Sequence, residues 1–245
     1  MIGELHLEII CDRLKQQFKL EVTCGRSYVA YRETLQQNDD LQYKQLIYDR
    51  TYGPKRLYAG LDFIYECTGL NILPIIKIEK ELQSRLSAEE LNSILEGLEA
   101  SLHRGPKGYP IVGINIIVKD IYRDHDTTSG AIRACISSFI KELLTDVHQQ
   151  LLLEPLMSVE IEVPEIYVGD ILSDLTVQRR GQIKEIHAGT IIDKQKHVIS
   201  AIVPLSSMLG YATTLRSRTH GEGSFASEYH SHAAIDLSVL SSLPL

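Results

Sequence analysis

The chain has 245 residues, a formal net charge of −7 and 44% hydrophobic residues, enough for two compact domains with their own cores. That charge excludes a protein whose whole surface tracks nucleic acid, while leaving room for a local basic contact. No apolar run approaches a membrane span. Four scattered cysteines (Cys11, Cys24, Cys67, Cys135) without a Cys-x-x-Cys pair point to reduced thiols rather than zinc or a disulfide framework.

Met1 is followed directly by a helical pattern, which predicts a fragment or a late start codon, with no signal or transit peptide in front. Leu7, Ile10, Leu14 and Phe18 recur at helical spacing, and residues 19–24 then alternate as a strand. A helix and one strand cannot bury an apolar face alone, so this is half of a domain whose apolar face is exposed or clamped elsewhere. Residues 28–34 read as a linker or edge strand. The polar run Gln36-Gln37-Asn38-Asp39-Asp40 is a loop and the first domain boundary.

Strands are predicted over residues 43–48, 57–65 and 75–78. Residues 49–56 between the first two form a turn that mixes Tyr52 with Arg50, Lys55 and Arg56. It is either a solvated hairpin or an RNA-contacting tip, with tyrosine stacking and cations on phosphate. Ser87-Ala-Glu-Glu90 is a capping box opening a helix through Leu91, Ile94, Leu95, Leu98 and Leu102, ended by Gly105-Pro106-Lys107-Gly108. Residues 111–118 are apolar enough for a buried strand. Thr127, Thr128 or Ser129 caps a further helix with Ile132, Ile136, Phe139, Leu143 and Val147 on its face. The middle third is thus an α/β sandwich.

The last third echoes itself. Val163, Pro164, Leu175 and Gly181 have identical partners at Val203, Pro204, Leu215 and Gly221, every offset being 40. Each half reads strand, helix, strand, with strands at residues 159–163 and 182–187 in the first. In the second, Ser206 or Ser207 caps a helix through Leu205, Leu209, Ala212 and Leu215, which Gly221 ends. Two such halves predict a ferredoxin-like βαββαβ domain.

A catalytic constellation is harder to find. There is no Gly-x-x-x-x-Gly-Lys-Ser/Thr loop, so these residues are not expected to bind GTP or ATP in that way. No Gly-x-Ser-x-Gly elbow appears, and no cysteine stands at a recognised spacing from a histidine. His220, His230 and His232, or His125 between Asp124 and Asp126, lack a supporting ligand set, so no metal site is expected.

Several stretches nevertheless resemble one family. Gly3-Glu-Leu-His-Leu-Glu-Ile-Ile, Asp12-Arg13 and Val29-Ala30-Tyr31-Arg32-Glu33-Thr34 are similar to the end of domain III and the entry to domain IV of elongation factor G. Gly105-Pro106 with Gly108-Tyr109-Pro110-Ile111-Val112 resembles its domain IV turn. Leu153-Glu154-Pro155-Leu156-Met157, Arg179-Arg180-Gly181, Val203-Pro204-Leu205, Gly210-Tyr211-Ala212-Thr213, Leu215-Arg216-Ser217 and Gly221-x-Gly223-Ser224-Phe225 resemble its domain V. The order and spacing run over nearly the whole chain. The resemblance implies an α+β protein. Residues 1–34 would be a domain III remnant (half of a ferredoxin-like domain) and linker, and residues 35–150 a domain IV like the second domain of ribosomal protein S5. Residues 151–235 would be a ferredoxin-like domain V, and 236–245 a tail. The S5-like domain carries an unusual left-handed crossover, to which the usual handedness rule does not apply.

Arg179-Arg180-Gly181-Gln-Ile-Lys-Glu-Ile and a reduced domain IV resemble the mitochondrial ribosome-releasing branch of the family more than the translocase. The translocase has a glycine-rich first tip loop of the Gln-Ser-Gly-Gly type, where this chain has Tyr52-Gly53-Pro54-Lys55-Arg56. Its second tip loop presents a histidine within Tyr-His-Asp-x-Asp-Ser, where this chain has Tyr122-Arg123-Asp124-His125-Asp126-Thr127. The resemblance therefore implies subunit splitting in the mitochondrial matrix with ribosome recycling factor, by a monomer bound to rRNA and ribosomal proteins, with no membrane partner. GTP and Mg²⁺ would belong to a GTPase domain absent from this chain. Contacts to the ribosome would fall to Arg50, Lys55, Arg56, Arg123 and His125 at one tip and to Arg179, Arg180, Arg216 and Arg218 in domain V. For the last four, compensation of helix C-terminal dipoles is the equal alternative. Two other functions stay open: a translocation factor with a divergent tip, and a stand-alone RNA-binding protein.

Overall fold

The computed structural model describes residues 4–22, 29–36, 40–69, 72–145, 150–188 and 196–235. Cys24, Gln37, Asn38, Asp39, Val147 and the 236–245 tail lie outside the described residues. The chain divides into two compact units, Tyr31–Leu153 with His232–Leu245, and Met1–Ala30 with Glu154–Ser231. Both are mixed α+β.

In the first unit, β2 (Gln42–Tyr52), β3 (Lys55–Cys67), β4 (Ile75–Ile78) and β5 (Ile114–Tyr122) form a four-stranded sheet in the order β2-β3-β5-β4. Only the β4–β5 pair is parallel, and the chain joins these strands through α2 (Lys80–Gln83) and α3 (Ala88–His103). Ser87 caps α3 through the expected box: its hydroxyl accepts from Glu90 N–H, and the Glu90 carboxylate accepts from Ser87 N–H. Thr128 caps α4 (Ser129–Leu143). One sheet face packs on these helices around Leu61, Phe63, Ile94, Leu98, Ile136 and Phe139. The Phe63 and Phe139 rings stack at 3.9 Å. β1 (Arg32–Leu35) pairs antiparallel with residues 150–153. The fully buried Glu33 carboxylate accepts from Lys107 N–H and Tyr109 N–H, fixing the 105–109 turn.

In the second unit, β6 (Gln150–Pro164) from Glu154 onward, β8 (Lys196–Pro204), β7 (Gln182–Ala188) and β9 (Ser224–Ala234) lie in the order β9-β6-β8-β7. With α5 (Glu165–Ser173), α6 (Leu205–Met208) and α7 (Tyr211–Arg218), this is the βαββαβ ferredoxin-like arrangement that the 40-residue echo predicts. Three of the four echoed pairs play equivalent parts, the glycines being the exception. Pro164 and Pro204 end strands and open helices, while Val163, Val203, Leu175 and Leu215 are core. α5 runs on into a π turn over Asp174–Gln178.

Four expectations need correction. α1 (Glu4–Phe18) ends as expected, but residues 19–22 form no strand. Lys19 adopts φ 54°, Leu20 N–H returns to Leu14 C=O, and no partner strand among the described residues offers a ladder. The 49–56 turn is almost entirely strand: β2 and β3 continue to a two-residue turn at Gly53-Pro54. The strand predicted at 111–118 starts at Ile114 and runs to Tyr122. Finally, the helix predicted through Leu205 and Leu215 is broken in two. Gly210 takes φ +71°, which turns Leu209 and Ala212 outward and Met208, Tyr211 and Leu215 inward, and no side chain caps either piece.

Candidate nucleic-acid interface

The β2–β3 hairpin separates its charges by strand alternation. Gly53 takes φ +59° at the first central turn position, where only glycine is at ease, and the fixed φ of Pro54 suits the second. The register sets Tyr52 opposite Lys55 and Arg50 opposite Leu57, so Arg50, Tyr52 and Lys55 share one face. Tyr52 is 60% exposed and shares a 2.9 Å hydroxyl contact with Tyr48. Among the described residues, Arg50 and Lys55 have no ion-pair partner.

Asp49, Arg56 and Tyr58 occupy the opposite face. Arg56 donates Nε and Nη2 to the two Asp49 carboxylate oxygens at 2.9 and 2.8 Å. Its Nη1 reaches Asp124 and Asp126 at 3.0 and 3.4 Å. Its guanidinium lies 5.2 Å from the Tyr58 ring centre. Arg56 thus joins the hairpin to the 123–126 loop instead of standing free. Asp124 and Asp126 close that loop through the Asp126 N–H to Asp124 bond of 2.8 Å, and Asp124 N–H donates to Thr127 Oγ1. Arg123 folds back to Glu90 at 2.7 Å and to the Arg85 carbonyl. His125 is 84% exposed, with Nε2 at 3.3 Å from Asp126. Asp124, His125 and Asp126 could also converge on a cation, but Arg56 already lies on both carboxylates.

Arg56 holds the Asp49 carboxyl below its usual pKa. A carboxyl depressed in the folded state contributes stability above its ordinary pKa and loses it as pH falls through the lowered one. The hairpin contact is therefore expected to persist to below the ordinary aspartate range. A ¹³C titration of the Asp49 side chain at the ordinary aspartate value would contradict this.

In the ferredoxin-like unit three of the four arginines are engaged. Arg179 pairs with the buried Asp174 at 2.7 Å, donates to the Ser207 carbonyl and lies 4.4 Å over the Tyr211 ring. Arg180, at φ 55°, forms a bidentate pair with buried Glu154 at 2.7 and 2.9 Å and also meets Ser206. Arg218 binds Asp170 at 2.8 and 3.0 Å and Asp174 at 3.2 Å. Arg216 is exposed, with no ion-pair partner among the described residues. Burial raises the Tyr211 hydroxyl pKa, and it pushes the Cys135 thiol up to about 12, so that thiol is inert. The structure thus sorts the nine candidates. Arg50, Lys55, His125 and Arg216 present themselves outward, while Arg56, Arg123, Arg179, Arg180 and Arg218 hold the protein together.

Residues 151–243, a span that takes in most of the ferredoxin-like unit, match the family described as Elongation factor G C-terminus. Beyond it, the whole chain is similar to a crystal structure of a protein from Thermus thermophilus. The likeness covers 98% of this chain at 26% identity with a TM-score of 0.69. It takes in 34% of that protein, so the chain spans about a third of its length.

Proposed function

We propose that this chain is the ribosome-binding C-terminal module of an elongation factor G-type translational GTPase. In this reading it acts with ribosome recycling factor to split subunits in the mitochondrial matrix, as a monomer. The observation that carries the reading is the family match at residues 151–243. The whole-chain likeness to a structure about three times as long supports a module within a larger protein. GTP and Mg²⁺ would be held by a domain outside these residues, which carry no phosphate loop of their own. The module's work is mechanical: a rigid sheet carries the Arg50–Tyr52–Lys55 face against rRNA, cations on phosphates and tyrosine on an unstacked base.

Recycling is favoured over translocation by the closed 123–126 loop, whose Arg123 is turned onto Glu90. The exposed His125 is the feature that favours translocation, and it keeps that second reading in play. The intact factor is expected to split ribosomes with recycling factor and to leave tRNA untranslocated; the reverse pair of results would overturn the proposal. Within it, a variant carrying Arg50→Ala and Lys55→Ala is expected to bind ribosomes more weakly. Its log K against log salt slope should fall by about 2, one for each phosphate left without its cation. An unchanged slope would remove these two residues from the interface.

A further inference from the structure

The first unit carries a second group of cations at the end away from the hairpin. α3 spans the distance: Glu90 in its first turn pairs with Arg123, and His103 lies in its last turn, about 20 Å further along the axis. Arg32 of β1, His103, Arg104 and Lys107 come together there from three segments. None of the four has an ion-pair partner among the described residues. The dipole of α3 accounts for His103 and Arg104, since a helix draws cations to its carbonyl end. Arg32 and Lys107 have no such cause. The carboxylate behind them, Glu33, is already taken by the Lys107 and Tyr109 N–H groups.

Arg32 and His103 also line a cavity of about 330 Å³, a size that takes one small ligand. The rest of its lining is mostly aliphatic, with Leu73, Ile76, Leu102 and Ile111. Glu99 contributes a carboxylate, likewise without an ion-pair partner among the described residues. The backbone around the cavity is fixed. Ile111 N–H donates to the Leu102 carbonyl at 2.8 Å, Val112 N–H to the Glu33 carbonyl at 2.9 Å, and Gly105 N–H to the Tyr109 carbonyl at 2.8 Å. A preformed apolar cup with cations beside it selects an anion that carries a flat or apolar body.

We propose that this cavity takes one unstacked guanine nucleotide of a single-stranded RNA segment. The base lies against Leu73 and Leu102, its N1–H and 2-amino group donate to the Glu99 carboxylate, and the phosphates around it meet Arg32, His103, Arg104 and Lys107. Apolar side chains hold an extruded base, and guanidinium groups bind phosphate in a planar fork. Glu99 decides between this and an acidic peptide with an apolar side chain. Its carboxylate repels the peptide's charges but accepts from the amino edge of a base. The proposal rests on the ribosomal reading for where such RNA is met, and it makes the first unit a strut that grips RNA at both ends.

The test is an NMR titration of the full chain, with labelled leucine methyls, against an oligoadenylate RNA carrying one central guanosine. The same strand with inosine, which lacks the 2-amino group, is the comparison. Saturable shifts of the Leu73 methyls are expected, with guanosine bound about tenfold more tightly than inosine, as one hydrogen bond to a charged acceptor implies. Leu73 is 70% exposed and Glu99 is on the surface, so Leu73→Asp and Glu99→Gln should both fold by circular dichroism. The first should abolish the shifts and the second most of the preference for guanosine. Arg104→Ala with Lys107→Ala should lower the slope of log K against log salt by about 1.4, since each phosphate contact on a single strand contributes about 0.7. Arg50→Ala with Lys55→Ala should leave the guanosine preference unchanged. Equal binding of the two strands, loss of the preference in the hairpin variant alone, GMP bound as tightly as the RNA, or Leu73 shifts produced by N-acetyl-Glu-Leu-Glu-amide and not by RNA would each overturn the proposal. A negative result in the subunit-splitting assay changes none of these readouts, so the two failures are distinguishable.

Discussion

Arg180→Ala is expected to destabilise the ferredoxin-like unit by about 3 kcal/mol, the low end of what breaking a buried ion pair costs. Glu154 is 4% exposed, and both of its oxygens are taken by Arg180, with Ser206 adding a longer contact at 3.3 Å. Removing the guanidinium leaves a desolvated carboxylate with one weak donor. It also leaves a non-glycine residue at φ 55° without the bidentate clasp that holds it there. The Arg180 side chain keeps 31% exposure, which lets water reach the vacated side and places the loss at the low end. Arg180→Lys should recover only part of it, because an ammonium cannot form the parallel pair of bonds. Urea unfolding reads the effect as a lower midpoint at constant slope. An unchanged midpoint with weakened RNA binding would return Arg180 to the interface and remove it from the scaffold.

That arginine shows where the sequence is legible and where it is not. Residue type is readable: Arg179, Arg180, Arg216 and Arg218 stand out near helix ends. Their partners are not, because Glu154 lies 26 residues from Arg180 and nothing local signals the pair. The same holds at the hairpin, where Arg56 and Asp124 are 68 residues apart. Features with a short-range cause are recovered well. The Ser87–Glu90 box marks the start of α3, and the two proline-ended strands at Pro164 and Pro204 set the ferredoxin-like order. Errors arise where one residue's backbone overrides a side-chain period. Gly210 splits a helix that leucine spacing extends, and a tight Gly53-Pro54 turn lets strands run through the other six residues of the 49–56 stretch that reads as a turn.

The largest single-residue effect in the first unit is expected from Gly113→Ala, at about 4 kcal/mol. Gly113 adopts φ +70°, where an L side chain costs roughly 1–2 kcal/mol. Space is the larger obstacle. A Cβ there would stand 2.3 Å from the Gly69 carbonyl oxygen and 2.9 Å from Thr34 Oγ1. The nearer atom is backbone, so no rotamer change relieves the clash. Neither can the segment slide, because Gly113 N–H donates to the Ile72 carbonyl at 2.7 Å and the Gly113 carbonyl accepts from Thr68 N–H at 2.9 Å. Thr34, for its part, donates to the Val112 carbonyl at 2.8 Å. Gly53→Ala supplies the control. Its φ of +59° carries the same backbone penalty, but nothing lies within 4 Å of the added carbon. It should cost only the roughly 1–2 kcal/mol of the left-handed conformation. The difference between the two variants in thermal or urea unfolding therefore isolates the close approach of residues 69 and 113. Equal losses would mean that the strand entrance yields to the methyl group, and that the β3–β5 pairing does not depend on this crossing.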